Sequence, residues 1–355
     1  MGATCVFSAL SFYQGKENFY ENVILPAVHT LSPEVSHNLA VAVNMYNLIP
    51  KAKYVDSPRL AINSWGVDFT NPVGMAAGFD KDGEAVLCLH KIGFGFVEVG
   101  SVTPQPQPGN EKPRVFRLKE NKAIINRYGF NSDGHEAVYK RLRDLRESKF
   151  KGVIGVNLGK NKSSPMPIQD YVQGITMFAP VADYLVINIS SPNTPGLRDW
   201  QRKEHLEKLL KELIATRDAQ EVRVPLLIKL SPDLTDEQRK DVAAVLNKQQ
   251  CRVDGLVIAN TSTERNYNLE GPHVSENGGL SGQPLAEIST QMISQMYKLT
   301  NGKIPIIGVG GVFTGKDAYK KIKAGASLVQ VYTAFVYHGP PRVTRIKAEL
   351  DQLLE

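Results

Sequence analysis

From residue 72 onward, hydrophobic residues fall in short runs separated by longer stretches with helical spacing. The runs read as buried on both faces, as in parallel strands covered by crossover helices. Eight repeats, with no early GxGxxG turn, predict an α/β fold closed into a parallel (β/α)8 TIM barrel and not an open doubly wound sheet. The predicted strands are Val73–Gly78, Phe96–Gly100, Val153–Asn157, Tyr184–Ile189, Leu226–Lys229, Gly255–Ala259, Ile304–Val309 and Leu328–Tyr332.

The first fifty residues follow a different pattern. Residues 16–31 have helical spacing, and Ser32-Pro33-Glu34 predicts the start of a second helix, with serine at the N-cap and proline at the first helical position. We therefore predict a small two-helix N-terminal domain over residues 1–50 and a barrel domain over 51–355, with a small hairpin within Leu60–Thr70. The apolar face of the second helix consists of Val35, Leu39, Val43 and Tyr46.

Composition and charge are those of a globular protein and do not favour nucleic-acid binding, a metal site or a membrane span. With 42% hydrophobic and 22% charged residues, the 355-residue chain can bury a large core. The net charge of +6 comes from basic residues spread along the chain, so nucleic acid is not favoured as a partner. The three cysteines, Cys5, Cys88 and Cys251, have no disulfide or metal spacing, and we expect no metal site. No apolar run approaches the ~18 residues that span a bilayer and no targeting segment is visible, so we expect any membrane contact to be peripheral.

Polar residues recur where the predicted strands end. In a parallel barrel these carboxyl ends meet at one mouth, which is the usual location of the active site. Small residues, amides, hydroxyls and two lysines there predict an anion-tolerant, hydrogen-bonding site. The residues concerned are Ala76, Ala77, Gly78, Lys81, Ser101, Asn157, Asn188, Ser191, Asn193, Lys229, Asn260 and Thr261.

Glycine clusters follow the late strands, at Gly278–Gly282 and Gly308–Gly311, and Tyr332-Thr333 follows the last strand. Glycine lets backbone N–H groups approach a phosphate, and the loops after strands 7 and 8 are the usual phosphate site of this fold. The sequence therefore predicts a phosphorylated ligand. Tight turns alone are the alternative explanation of each cluster.

Five segments in order along the chain resemble the signature segments of the dihydroorotate dehydrogenases: Ala76–Lys81, Ile125–Asn131, Asn188–Thr194, Gly278–Gly282 and Ile306–Gly311. The resemblance extends from about Glu17 to Leu354. It implies oxidation of dihydroorotate to orotate in pyrimidine synthesis, with FMN as the redox cofactor. The FMN-binding residues that it implies are Ala76, Ala77, Gly78, Lys81, Ser101, Asn126, Asn157, Asn188, Lys229, Ala259, Asn260, Ser281, Gly282, Gly310, Gly311, Val331, Tyr332 and Thr333.

The resemblance also implies roles in the reaction. Ser191 matches the base that removes a proton from the dihydropyrimidine, and serine in place of cysteine points to the quinone-dependent class. An isolated serine is a weak base, and no histidine partner is obvious in the sequence. Lys229 matches a lysine at the flavin's pyrimidine end, and Ala259 departs from relatives that carry threonine. The implied substrate-binding residues are Lys81, Asn126, Phe130, Asn188, Asn193, Asn260 and Thr261.

In the quinone-dependent class, a two-helix N-terminal module forms an apolar tunnel toward the flavin and rests on a membrane. The resemblance therefore implies ubiquinone as electron acceptor, and the mitochondrial inner membrane as the location in eukaryotic members. An apolar tunnel suits the isoprenoid tail of a quinone. The implied tunnel residues are Leu25, Val28, His29, Ser36, His37, Ala40, Arg117 and Tyr332.

Simpler interpretations remain open for several of these residues. Ser191 precedes Pro192 and can be a turn residue, His37 can be a structural histidine, and the lysines can be solvated surface charges. The apolar faces of the N-terminal helices can pack as ordinary core or form a dimer contact. The rival functions are an FMN barrel with a soluble electron acceptor and a non-enzymatic flavin-binding scaffold.

Overall fold

The structure is a computed structural model that describes residues 2–355, with side chains from Phe7 onward. Eight parallel strands pair in chain order and close into a barrel, which confirms the predicted fold and all eight predicted strands. Strand ends differ from the predicted ones by at most three residues, as at Val73–Met75. Numbered β1 to β8 along the chain, the barrel strands are Val73–Met75, Phe96–Val102, Val153–Leu158, Tyr184–Asn188, Leu226–Leu230, Gly255–Ile258, Ile306–Val309 and Leu328–Val331.

Helices follow the strands and cover the outside of the barrel. The main core lies between them, where outward residues of the strands such as Val97 and Val99 pack with helix residues such as Leu89. The residues Thr235 and Thr314 each begin a helix with a capping box. The helices are Val86–Ile92, His135–Glu147, Pro167–Phe178, Lys203–Asp218, Asp236–Leu246, Ala286–Leu299, Gly315–Lys323, Thr333–His338 and Pro341–Leu353.

The interior of the barrel is apolar at its lower end. Phe96, Tyr184 and Leu227 point inward there and form a separate cluster of buried residues. The predicted hairpin is confirmed as Ile62–Ser64 paired with Val67–Phe69. It closes the lower end, where the ring of Phe69 lies 5.4 Å from that of Phe96. Ligands therefore have their space at the opposite, upper end.

A second sheet beside the mouth was not predicted. It contains three antiparallel strands, Val115–Leu118, Ala123–Asn126 and Gly279–Gly282. Gly279 pairs with Asn126 and passes so close to Thr261 that a Cβ would lie 1.9 Å from its Oγ1. The glycine cluster after β6 is therefore a strand whose backbone must approach the mouth closely.

The N-terminal helices lie against the barrel. Helix Gly2–Tyr13, which was not predicted, precedes three consecutive helical segments, Glu17–Phe19, Tyr20–Ile24 and Leu25–Val28, and then helix Pro33–Met45. Ser32 is the N-cap residue of the last helix as predicted, but its side chain makes no capping hydrogen bond. Within the described residues, no helix is long and apolar enough to cross a membrane.

Buried ion pairs attach these helices to the barrel domain. Arg114 pairs with Glu34 at 2.8 Å, and Arg342 pairs with both Glu17 and Glu21 at 2.7 Å. Both arginines are about 5% exposed, so removal of the N-terminal helices would deprive two buried guanidinium groups of their carboxylate partners.

Candidate active site

The carboxyl ends of the strands surround one cavity, at the mouth where the sequence predicted the site. Most of the predicted FMN and substrate residues line it, but Asn157 and Val331 do not: Asn157 is buried behind the wall and Val331 belongs to the main core. The predicted residues on the wall are Ala76, Ala77, Gly78, Lys81, Ser101, Asn126, Phe130, Asn188, Ser191, Asn193, Lys229, Ala259, Asn260, Thr261, Ser281, Gly282, Gly310, Gly311, Tyr332 and Thr333.

Ser191 lies in the loop that follows β4, and its side chain is buried at the cavity wall. Its Oγ accepts a hydrogen bond from the backbone N–H of Asn193 at 3.3 Å. Among the described residues, no group accepts the proton of the Ser191 hydroxyl, so that proton is free to face a ligand. Asn193 in turn donates to the backbone oxygen of Asn126 at 3.1 Å, which ties the loop to the second sheet.

The Asn188 side chain connects residues from three parts of the mouth by hydrogen bonds. Its Nδ2 donates to Ser101 Oγ at 2.9 Å, and its Oδ1 accepts from Asn260 Nδ2 at 3.1 Å. The backbone N–H of Ser190 also donates to this Oδ1, at 3.2 Å. Since a backbone N–H can only donate, the orientation of the Asn188 amide is fixed.

Lys81 is held between the cavity and the N-terminal helices. Its Nζ lies 3.2 Å from Nε2 of His37 and 3.9 Å from the centre of the Tyr128 ring. Burial lowers the pKa of Lys81 to about 8. Burial and the charge of Lys81 also hold the pKa of His37 well below its usual value, so His37 is neutral and accepts from the ammonium.

Lys229 ends the inward face of β5 and is buried at the cavity wall. Burial lowers its pKa, while the charge of Glu98 inside the barrel raises it. No described residue accepts a hydrogen bond from its Nζ. The ammonium is therefore available to an anionic or carbonyl group of a ligand.

Gly310 and Gly311 form the loop after β7, and both have positive φ values, of 109° and 70°. A Cβ on Gly311 would lie 2.5 Å from Cα of Ala286, so only glycine fits. No described residue accepts from the backbone N–H groups of this loop. Beside it, Ser281 and Thr333 are joined through their hydroxyls at 3.0 Å. Free N–H groups and hydroxyls in a confined loop suit a phosphate.

Phe130 has a left-handed backbone with φ of 56°, which is rare for a bulky residue. Its ring packs over Gly159, where an added Cβ would lie 3.1 Å away. Such strain at a cavity wall is typical of ligand sites. Ala259, the residue that departs from the family pattern, is buried at the same wall and leaves the neighbouring Asn260 in place.

The predicted tunnel residues make two groups of contacts. Arg117 donates to the backbone oxygens of His29 at 3.0 Å and Leu31 at 2.6 Å, and to Ser36 Oγ at 3.2 Å. His37 lies beside Lys81 at the mouth. Of the other predicted tunnel residues, Leu25 lines a shallow cavity with His29, Val28 accepts from Ser36, Ala40 packs on the main core, and Tyr332 lines the mouth.

Several residues that were not predicted as site residues lie at the cavity or in a loop that lines it. Tyr128 packs against Lys81, Gln330 lines the cavity from β8, and Thr194 in the Ser191 loop has a buried Oγ1 without a partner among the described residues. A signal for Gln330 was present, since it is a polar residue inside an apolar strand.

Comparisons with known proteins identify the family. The family model described as "Dihydroorotate dehydrogenase" matches residues 59–354. A protein of Mus musculus named dihydroorotate dehydrogenase (quinone), mitochondrial, is 51% identical, and the match covers 100% of this chain and 91% of that protein. One of Xanthobacter autotrophicus named dihydroorotate dehydrogenase (quinone) is 48% identical, with 94% of each chain covered.

A solved structure is also similar. The crystal structure of DHODH from Eimeria tenella in complex with ferulenol has a TM-score of 0.88 and 42% identity, and the match covers 92% of this chain and 94% of that one. The sequence comparisons and the structural comparison thus agree. The chain belongs to the dihydroorotate dehydrogenase family.

Proposed function

We propose that the chain oxidises dihydroorotate to orotate, with FMN as redox cofactor and ubiquinone as electron acceptor, in de novo pyrimidine biosynthesis. The observation that carries the proposal is that Ser191, the substrate amides and the glycine loop after β7 all line one cavity. Relatives at about half identity over nearly the whole chain are named for the same reaction and for quinone.

The cavity fits FMN in three respects. Gly310 and Gly311, both with positive φ, offer free backbone N–H groups for the phosphate, and a Cβ on Gly311 would collide with Ala286. Lys229 offers an unpaired ammonium that suits electron-rich ring atoms. Gln330 offers a buried Oε1 that has no partner among the described residues and suits a ring N–H. Bound FMN supplies the two-electron oxidation, because its ring accepts a hydride.

Substrate recognition is assigned to amides and a lysine. Asn126, Asn193 and Asn260 provide donors and acceptors that match the edges of a planar pyrimidine. Lys81 provides the positive charge for the substrate carboxylate. The hydrogen bonds that fix these amides leave them little freedom before a ligand binds, so orientation costs little on binding.

Ser191 is assigned the proton transfer. Its hydroxyl oxygen takes the proton from the ring carbon next to the one that loses hydride. A serine hydroxyl has a high pKa and is a weak base, so the reaction depends on polarisation of the substrate by Lys81 and the amides. The free proton of Ser191 needs an outlet, and the unpartnered hydroxyl of Thr194 lies in the same loop.

We assign residues 1–50 to quinone binding and peripheral membrane contact, at the mitochondrial inner membrane. Exposed apolar side chains on these helices support this assignment: Val23 and Val35 are about half exposed, and Leu39 is 43% exposed. Contact between His37 and Lys81 joins the helices to the cavity, so a quinone among them would lie near the redox centre.

Anaerobic absorbance spectroscopy tests the proposal. The purified protein should be yellow, and dihydroorotate should bleach it; a colourless protein that cannot be loaded with FMN would refute the assignment. Failure to bleach would favour the flavin-binding scaffold. Turnover with ubiquinone, fumarate and a nicotinamide nucleotide then distinguishes the acceptor class, and His37→Ala should impair quinone turnover more than flavin reduction.

A further inference from the structure

Glu98 is a carboxylate in the interior of the barrel, below the cavity. It lies on β2, is fully buried and has no place in the reaction proposed above. Three groups donate to it: Asn157 Nδ2 at 2.8 Å, Gln330 Nε2 at 2.6 Å and the Tyr184 hydroxyl at 3.3 Å. All three donors point to the two carboxylate oxygens, so the amides of Asn157 and Gln330 both turn their own oxygens away from Glu98.

The first consequence concerns Ser101. Because Asn157 turns its Nδ2 to Glu98, it presents its Oδ1 to Ser101, and the Ser101 hydroxyl donates to that oxygen. Ser101 Oγ also accepts from Asn188 Nδ2 at 2.9 Å. With its only proton used, Ser101 can offer the cavity just a lone pair. It is therefore an acceptor at the cavity wall.

The second consequence concerns Gln330. Its Nε2 is turned to Glu98, and its Oε1 is buried and has no partner among the described residues. Gln330 lines the same cavity as Ser101. A buried acceptor without a partner costs free energy unless a ligand supplies a donor. Ser101 Oγ and Gln330 Oε1, the two cavity groups connected to Glu98, are thus both hydrogen-bond acceptors toward the cavity.

We propose that Glu98 is a positioning residue that makes Ser101 and Gln330 hydrogen-bond acceptors toward the bound flavin. The inference rests on the proposed function, because it concerns the cavity assigned to FMN. An oxidised flavin ring carries an N–H donor at its pyrimidine end, and the wall suits such a donor. Glu98 also balances the buried charge of Lys229 at the same end of the cavity.

The variant Glu98→Gln keeps the size of the side chain but replaces one acceptor oxygen with an amide nitrogen, which donates. If the new amide nitrogen faces Asn157, that amide must turn over, and Ser101 becomes a donor to the cavity. If it faces Gln330, that amide must turn over instead and present its Nε2. Either orientation changes one wall acceptor into a donor, so the variant should weaken FMN binding by about tenfold or more and shift the visible bands of any bound flavin.

The double variant Glu98→Gln with Asn157→Asp should again make Ser101 and Gln330 acceptors toward the cavity. The introduced glutamine would then donate to the introduced carboxylate and accept from Gln330, while Ser101 would again donate to the side chain at position 157. We expect FMN affinity within about threefold of the parent and the parental flavin spectrum. Tyr184→Phe is the matched control, since it removes a donor to Glu98 without turning either amide, and its FMN affinity should change by less than about threefold.

The measurements are the FMN dissociation constant, the visible spectrum of the holoprotein and the melting temperature. Equal FMN binding by Glu98→Gln and the parent would overturn the inference, as would a Tyr184→Phe loss as large as that of Glu98→Gln. If Glu98→Gln does not fold, the double variant decides: it must fold and hold FMN, and failure in either respect overturns the inference. A parent protein that binds no FMN would refute the proposed function instead.

Discussion

Two lysines line the cavity, and their surroundings differ. Lys81 has a neutral histidine and an aromatic ring as neighbours, whereas Lys229 shares the interior with Glu98. Burial lowers the pKa of both lysines. The charge of Lys81 titrates near physiological pH, because its pKa is lowered to about 8.

Binding of orotate should consequently depend on pH. Below the pKa of Lys81 the ammonium is charged and can pair with the carboxylate; above about pH 8 it loses its proton and the pairing is lost. We expect a constant dissociation constant below neutrality, and a rise of up to about tenfold per pH unit in alkaline solution. Flavin difference spectra with orotate measure it, and the same profile in Lys81→Met would contradict this role of Lys81.

Ser191→Ala should slow reduction of the flavin by dihydroorotate by about a hundredfold or more. FMN content should not change, because the Ser191 hydroxyl accepts only from its own loop. Stopped-flow absorbance under anaerobic conditions measures the rate. Ser164→Ala, at a hydroxyl outside the cavity that bonds Asp170, is the control, and parental kinetics in Ser191→Ala would exclude proton transfer by Ser191.

The sequence predicted which residues line the cavity when they stand at the carboxyl end of a barrel strand, because that position directs the side chain toward the mouth. Ser101, Asn188 and Lys229 were found because each ends an apolar run. Asn157 also ends one, yet it lies behind the wall because Glu98 and Ser101 take both ends of its amide. No pattern in the sequence encodes that arrangement, since its partners belong to different strands.

At the scale of elements, the barrel strands were predictable because each is apolar on both faces. The second sheet was not, since its strands are four residues long and Asn126 pairs with Gly279, which lies 153 positions away. A glycine strand also lacks the β-branched residues that usually mark a strand. The loops after β6 and β7 look alike in sequence, but one is a strand and the other a turn.

Gly311→Ala tests the loop after β7. The new Cβ would lie 2.5 Å from Ala286, so we expect a lower melting temperature and FMN lost from the purified protein. Gly66→Ala is the matched control: its φ is also positive, at 77°, but nothing lies within 4 Å. It should cost only about 1–2 kcal/mol for the left-handed backbone, with FMN retained. Equal behaviour of the two variants would mean that the close approach is unimportant.

At the scale of the whole molecule, the N-terminal helices were predictable as an appendage, but their attachment was not. Arg342 reaches Glu17 and Glu21, more than 300 positions earlier. Ion pairs over such distances leave no periodic signal. Helix Gly2–Tyr13 was also missed.

The proposed membrane contact through these helices predicts that a charge on their exposed apolar face weakens lipid binding. Leu39→Asp places a charge on the exposed apolar face and should weaken co-sedimentation with anionic lipid vesicles about five-fold or more, which corresponds to about 1 kcal/mol or more. Val222→Asp, at a similarly exposed site on the barrel, is the control. Soluble-dye turnover should be equal in both. Vesicle binding that is unaffected by Leu39→Asp would argue against this face as the contact.

The hairpin that closes the lower end of the barrel determines where ligands can enter. With Phe69 and Phe96 packed across that end, a water-soluble acid and a lipid-soluble quinone both approach through the upper end. If quinone binds among the N-terminal helices as proposed, the contact between Lys81 and His37 separates it from the substrate. A compound bound among the N-terminal helices would then compete with quinone, but it would not prevent dihydroorotate from entering the cavity.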